Sequence, residues 1–180
     1  MATMRRVVYG GACSLDGFFA GSKGEIDWLH FSKDVAAIMQ RSWAATDTIL
    51  MGRKTWEFAA AAGGGGDMPG VTITKTYVFS TTLKGVTGNN TELVSRDAGD
   101  FVRQLKRQPG KDIMIMSGGN LATSLLREGV VDEIGLNIHP VLLGAGVPAF
   151  RDSGSRVNLE LTETRQLEGG CVFVNYRVRR

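Results

Sequence analysis

With 180 residues, 43% hydrophobic and 22% charged, the chain has the composition of a folded globular protein, which excludes intrinsic disorder. One core is the default at this length and can bury about 70% of the unfolded chain's surface without disulfides or a metal. The net charge of +3 comes from scattered basic residues with no Lys/Arg stripe among aromatics, so no nucleic-acid partner is expected, while a small anionic ligand is compatible.

Residues 5–14 are β-branched and small and read as a buried strand; residues 15–31 follow as a loop with Gly17, Gly21 and Gly24. Residues 32–44 carry Val35, Ile38, Met39 and Trp43 at the spacing of one helix face, with Ser32 as N-cap. A short strand at 48–51 leads into a helix at 52–62, stopped by the glycine run 63–66, which reads as a flexible loop or lid. Strands follow at 76–80 and 92–94, then a helix at 97–108 with Phe101, Val102 and Leu105 inward, ended by Pro109-Gly110.

Residues 113–116 form another buried strand, turned by Ser117-Gly118-Gly119 into a helix at 120–128. Residues 133–139 alternate Ile134, Leu136 and Ile138 up to Pro140. Residues 157–166 and 171–178 alternate and are joined by Glu168-Gly169-Gly170, a hairpin signal. The order implies an α/β fold in one domain, its sheet mainly parallel with an antiparallel C-terminal edge. No stretch is apolar enough to span a bilayer and residues 1–9 lack a signal-peptide run, so a cytoplasmic, membrane-free protein is expected. Cys13 and Cys171 lack neighbours at metal spacing and read as buried free thiols, with no metal site expected. Arg177, Arg179 and Arg180 read as a solvated chain end.

In an open α/β sheet, ligands bind beyond the carboxyl ends of the strands. At Met51-Gly52-Arg53-Lys54-Thr55-Trp56-Glu57, Gly52 admits close approach of a phosphate, the helix offers its positive end, and Arg53 and Lys54 add cations. An ordinary strand–turn–helix with surface basics explains that spacing equally well. Gly118-Gly119 lacks the full dinucleotide fingerprint and on its own reads as a structural turn. Ser80-Thr81-Thr82 puts three hydroxyls at a strand end, where a 2′-phosphate or ribose could be bound, and alone is also a turn.

Together and in this order, these three segments resemble the dihydrofolate reductase superfamily. Cys13-Ser14-Leu15-Asp16-Gly17-Phe18, Ile26-Asp27-Trp28, Val131-Asp132-Glu133 and residues 140–146 resemble one branch of it, the RibD C-terminal reductases. The resemblance covers essentially the whole chain. It implies a dihydrofolate reductase-like fold with helices on both faces of the sheet, NADPH as cofactor, and hydride transfer to a ribosylamino-pyrimidine or another small heterocycle. Dihydrofolate reductase proper and a non-catalytic nucleotide-binding module are the alternatives.

The cofactor residues the resemblance implies are Ala12, Gly52, Arg53, Lys54, Thr55, Ser80, Thr81, Thr82, Ser117, Gly118, Gly119, Asn120 and Leu121. Those implied for substrate are Asp16, Phe18, Trp28 and Asn137. Phe18 stands where the riboflavin enzymes carry a basic residue, and no zinc-deaminase motif is present.

Asp27, desolvated against Trp28 and Phe31, is a candidate proton donor. Asp34 is the second, although it lies one residue, about 100° of helix, beyond the matching position; a first-turn carboxylate facing the helix dipole is its other reading. Asp16 has a turn role open to it as well, in Asp-Gly. His139 reads as a satisfied structural imidazole, and Trp56 and Phe58 as core or pocket wall. The apolar segment 140–150 and the family's habit imply a homodimer.

Overall fold

The run Val7–Ser14 forms β1, one of the middle strands of an eight-stranded sheet. The structure is a computed structural model that describes residues 4–61, 73 and 75–180; the glycine run 63–66 lies outside the described residues. The remaining elements are β2 (Phe18–Ala20), α1 (Lys33–Ala45), β3 (Thr46–Gly52), α2 (Arg53–Ala61), β4 (Lys75–Phe79), β5 (Thr91–Val94), α3 (Ala98–Lys106), β6 (Asp112–Ile115), α4 (Gly119–Arg127), β7 (Glu133–His139), β8 (Val147–Pro148), β9 (Leu159–Gln166) and β10 (Val172–Val178). The sheet order is β5-β4-β3-β6-β1-β7-β10-β9. The pairs from β5 to β7 are parallel, whereas β10 runs antiparallel to β7 and β9. The mixed α/β class with an antiparallel edge is therefore the one expected.

Successive side chains of a strand point to opposite faces, so each strand feeds two cores. On one face Val7, Tyr9, Leu50, Ile113, Ile115 and Ile134 pack under α3 and α4 through Phe101, Val102, Leu105, Leu121 and Leu125. On the other, Ile49, Met51 and Val78 pack with Trp43 of α1 and Trp56 of α2, while Val35 meets Leu167, Cys171 and Phe173. Helices thus cover both faces.

The caps follow the sequence. Ser32 Oγ accepts from Val35 N–H (3.4 Å), and Asp97 Oδ1 accepts from Asp100 N–H (2.8 Å). Two side chains depart from expectation: Met39 lies one position round from the inward Ile38 and is exposed, and Phe58 points to solvent rather than into core or pocket wall. Cys13 and Cys171 are buried and free.

Basic residues scattered in sequence gather at the amino edge of the sheet. Arg5 is buried and donates to Asp47, to Thr48 Oγ1 (2.6 Å) and to Lys111 O (2.6 Å), tying β1 to β3 and β6. Arg180 pairs with Asp132, and Arg177 and Arg179 approach Glu160, while all three side chains stay more than half exposed, as expected of a solvated chain end. A cleft of about 620 Å³ lies there, lined by Arg6, Lys106, Asp132, Glu133 and Arg180 among others. Its charges largely bind one another, as in Arg6–Glu133 and Lys106–Asp132, and it lies at the opposite end of the strands from the candidate site.

No local pattern in the sequence pointed to β8, which pairs with β2 in a two-stranded ribbon. Ala149 N–H donates to Gly17 O (2.8 Å), and the Tyr9 hydroxyl donates to Ala149 O. The loops after β1 and β7 are thereby joined. Among the described residues no helix is long and apolar enough to cross a membrane.

Candidate functional site

Parallel strands β1, β3, β4, β6 and β7 end at one edge, so the turns that follow them lie side by side. β3 passes directly into α2 at Gly52-Arg53, and β6 reaches α4 through Met116-Ser117-Gly118. Gly52 N–H donates to Ser117 Oγ at 3.2 Å, which brings the amino ends of the two helices together. A Cβ on Gly52 would lie 2.8 Å from that oxygen, so only glycine leaves the contact undisturbed. No side chain caps α4, whose N-cap is Gly118, so its first N–H groups are available to an anion.

Beside them stands the turn after β4. Arg53 Nη1 donates to Thr82 Oγ1 at 3.1 Å, and Ser80 Oγ accepts from Thr82 N–H (3.2 Å) and Leu83 N–H (3.1 Å). Thr81, Lys54 and Asn120 are exposed, and Thr55 is half-buried. The structure therefore brings Gly52, Arg53, Ser80, Thr82 and Ser117 into one linked group. Fixed hydroxyls, one guanidinium and two helix amino ends form a donor set for phosphates.

Gly119 has a different reason to be glycine. A Cβ there would meet Pro148 O at 2.9 Å and Ala149 O at 3.1 Å, and one on Gly118 would meet Val147 Cγ1 at 3.3 Å. The room expected at Gly119 for a cofactor is taken by the protein's own backbone at 148–150. Leu121 is likewise buried in the core under the sheet rather than open to a ligand. Nothing in the sequence signalled that wall, because β8 is two residues long and pairs with a strand far away.

The second half of the edge lies over β1 and β7, where Ala12 is the register partner of Asn137 and Ser14 of His139. Trp28 packs edge-on against His139, with ring centroids 5.4 Å apart, and its Nε1–H donates to Glu25 O (3.3 Å). Phe18 pairs with Pro148 in the β2–β8 ribbon.

Of the three carboxylates, Asp16 and Asp34 take the turn and first-turn readings open to them, and Asp27 lacks the enclosure expected of it. Asp16 Oδ1 accepts from Ser14 Oγ–H (2.6 Å) and Leu143 N–H (3.1 Å), and Oδ2 from Gly144 N–H (2.8 Å). Both oxygens close the turn between the two loops, which is the turn role open to this Asp-Gly pair. Asp34 accepts from the Ser32 hydroxyl and from Val35 N–H (2.8 Å) and Glu168 N–H (2.8 Å), clamping the β9–β10 turn to the start of α1. The Ser32 hydroxyl and then the Glu168 N–H hold its carboxyl below the ordinary value. An acid that stays ionised is a poor proton donor, which removes Asp34 from that role. Asp27 is exposed and Phe31 is 70% exposed, so the apolar enclosure that would have desolvated Asp27 does not form around it within this chain.

His139 is buried. His30 N–H donates to its Nδ1 (3.3 Å), and Cys171 Sγ lies 3.4 Å from the same nitrogen. Burial, and secondarily the nearby His30, push its imidazole pKa down, while burial pushes the Cys171 thiol up. A neutral ring whose Nδ1 accepts from a backbone N–H carries its proton on Nε2. Asn137 Nδ2 lies 3.1 Å from that Nε2, two donors face to face unless the carboxamide is turned end for end. Oδ1, at the far end of this carboxamide, is buried with no hydrogen-bond partner among the described residues.

Stability is accordingly expected to fall on acidification in two steps. His139, depressed below 6.5, contributes stability that is complete above that pH and is lost as pH falls through its folded value. Asp34, depressed below 3.8, contributes stability that is complete above that value and lost only in stronger acid. Urea midpoints measured from pH 8 to 3 should show both steps, and Asp34→Asn should diminish the acidic one, to which Asp16 and Glu163, also held below their ordinary values, contribute the rest. An unchanged acidic step in that variant contradicts the clamp.

A model of the RibD C-terminal domain family matches residues 5–173, and the chain belongs to that family. Two Bacillus subtilis (strain 168) proteins, both uncharacterised, are similar over nearly their whole lengths. YyaP is 35% identical, covering 96% of this chain and 94% of its own, and YwjB is 29% identical, covering 96% and 97%. Among solved structures, a candidate riboflavin biosynthesis protein from Shewanella sp. PV-4 superposes with a TM-score of 0.80 at 25% identity, covering 97% of this chain and 99% of its own. The Thermotoga maritima diaminohydroxyphosphoribosylaminopyrimidine deaminase/5-amino-6-(5-phosphoribosylamino)uracil reductase shares the fold, with a TM-score of 0.71 at 14% identity; the match covers 98% of this chain and 57% of that one.

Proposed function

We infer that the chain is an NADPH-dependent oxidoreductase, a single reductase unit that transfers hydride to a small heterocyclic or ribosylamino-pyrimidine substrate. The observation that carries this reading is the meeting of the α2 and α4 amino ends at Gly52 N–H and Ser117 Oγ, with Arg53 and Thr82 bonded beside them. Membership of a family whose structural relatives include a reductase supports it.

The residues present fit a dinucleotide phosphate. Arg53, Ser80 and Thr82 would hold the 2′-phosphate, and the helix ends with Lys54 and Ser117 the pyrophosphate. NADPH would supply the hydride; the protein would orient the ring against β1 near Ala12 and exclude water there. The proton donor is best sought in Asp27 or in water, since the oxygens of Asp16 and Asp34 are engaged elsewhere. Fluorescence titration should give an NADPH dissociation constant at least about tenfold below that for NADH, a difference of about 1.4 kcal/mol. Failure of both cofactors to bind at millimolar concentration ends this reading.

A homodimer belongs to the same proposal. Beyond the α3–α4 layer, Leu159, Leu161 and Val172 are 40%, 51% and 37% exposed on the face they share with Tyr176, and Leu142 adds to the exposed apolar surface. Sedimentation should find a dimer at micromolar concentration, and Leu161→Arg should shift it toward monomer. A wild-type monomer would remove the claim. Two free buried thiols and a reduced cofactor suit the cytoplasm.

A further inference from the structure

Resting on the reductase reading above, we propose that the substrate half of the site takes an uncharged heterocycle with a carbonyl or ring-nitrogen acceptor and discriminates against its phosphorylated form. Two independent observations converge on this.

The first is the orphaned end of Asn137. His139 carries its proton on Nε2, because Nδ1 accepts from His30 N–H and faces the Cys171 thiol. Asn137 Nδ2 is placed 3.1 Å from this Nε2, but a protonated Nε2 requires an acceptor, and because oxygen and nitrogen ends have the same shape the carboxamide is turned end for end. The NH₂ group then takes the buried position given to Oδ1, where no hydrogen bond is formed among the described residues. A buried donor left unpaired is costly unless something else satisfies it. A neutral acceptor atom on a ring, reached beside Ala12 at the end of β1, would do so. His139 is then a positioning residue that fixes which end of Asn137 is offered.

The second is the division of charge along the edge. On the β1/β7 side, the loop after β1, the first turn of α1 and the β9–β10 turn carry Asp16, Glu25, Asp27, Asp34 and Glu168 against Lys23 and Lys33, a net −3. These segments are held together there by His30 to His139 and by Glu168 to Asp34. Among the described residues none of the five carboxylates joins an ion pair, although Asp47, Asp112, Asp132, Glu133 and Glu163 elsewhere all do. Neutral donors stabilise three of them instead: Lys23 N–H serves Glu25, and backbone N–H groups with Ser14 and Ser32 serve Asp16 and Asp34. The charge therefore remains uncompensated. The amino end of α1 adds about half a positive charge, too little to change the sign.

Among the described residues on the β3/β4 side, Arg53, Lys54 and Lys84 stand against Glu57, a net +2. One edge thus attracts phosphates at its cofactor end and repels them at its substrate end.

The test uses the wild-type protein saturated with NADPH, after titration has shown that NADPH binds. Calorimetry then measures the affinities of one ribosylamino-pyrimidine with and without its 5′-phosphate. The unphosphorylated compound should bind at least about tenfold more tightly, and the ratio should shrink with added salt as screening shortens the field's reach. Glu168→Lys, at an exposed turn position, should lower the ratio about two- to threefold with an unchanged melting temperature. Asn137→Leu should weaken the unphosphorylated compound about tenfold, the cost of one buried hydrogen bond, without altering NADPH affinity. Equal affinities, tighter binding of the phosphorylated compound, or no binding of either overturns this proposal while leaving the cofactor reading intact. Failure of NADPH to bind in the first step refutes the reductase reading instead.

Discussion

Replacing Asp47 by alanine should cost about 3–5 kcal/mol of folding stability, the range for removing one partner of a buried ion pair. Its partner, the Arg5 side chain, is 4% exposed. Thr48 and Lys111 O would still accept from the guanidinium, but neither carries a charge. The Lys111 N–H would also lose Asp47 Oδ2, which accepts from it at 2.8 Å. For a chain of this size each kcal/mol shifts the melting temperature by about 2–4 °C, so a fall of about 6–20 °C is expected. Urea denaturation should show a lower midpoint at unchanged slope. Asp47→Asn, which keeps hydrogen-bonding capacity but not charge, should fall between. A loss below about 1 kcal/mol would place this pair among the ion pairs of no consequence.

Arg53→Ala should weaken NADPH binding about five- to thirtyfold and leave NADH binding nearly unchanged, corresponding to about 1–2 kcal/mol. The size follows from the exposure of Arg53. A desolvated guanidinium–phosphate contact reaches about 3 kcal/mol, but this side chain is 44% exposed and water screens it. Its geometry is already set by Thr82 Oγ1, while Glu57, 3.7 Å away, competes for it as the next-turn partner. The difference between cofactors should narrow at high salt. Arg53→Lys should restore part of the affinity, since it keeps the charge and loses the two-pronged grip. Unaltered NADPH affinity in Arg53→Ala would move the 2′-phosphate away from the β4 turn.

Much of the fold could be read along the chain because its signals are local. Alternation in 133–139 and 171–178, the caps Ser32 and Asp97, and the Glu168-Gly169-Gly170 turn each act within a few residues. The cofactor half of the site was legible for a related reason. Gly52, Arg53, Ser80, Thr82 and Ser117 each follow a strand directly, and parallel strands deliver their ends to one edge.

The carboxylates were not legible. Asp34 and Glu168 are 134 positions apart, and Asp16 and Gly144 are 128 apart. Whether such a group is a free acid or a clamp depends on which N–H groups arrive beside it, and the sequence around Asp34 holds no trace of Glu168. The same holds for Gly118-Gly119, where the sequence shows that side chains are missing but not which atoms fill the space.

By itself, the sequence determined which segments become the helices and the strands of the eight-stranded sheet, the sense of most of its pairings, and the residue types waiting at each strand end. Tertiary structure alone decided the partners: that Asp34 and Asp16 are spent on backbone N–H groups, that Asn137 keeps an unsatisfied end, and that charge divides along the edge. The reason is range. Backbone dihedral preferences and side-chain periodicity act over a few residues, whereas hydrogen bonding, desolvation and the summed electric field depend on distances in space that only the folded chain sets.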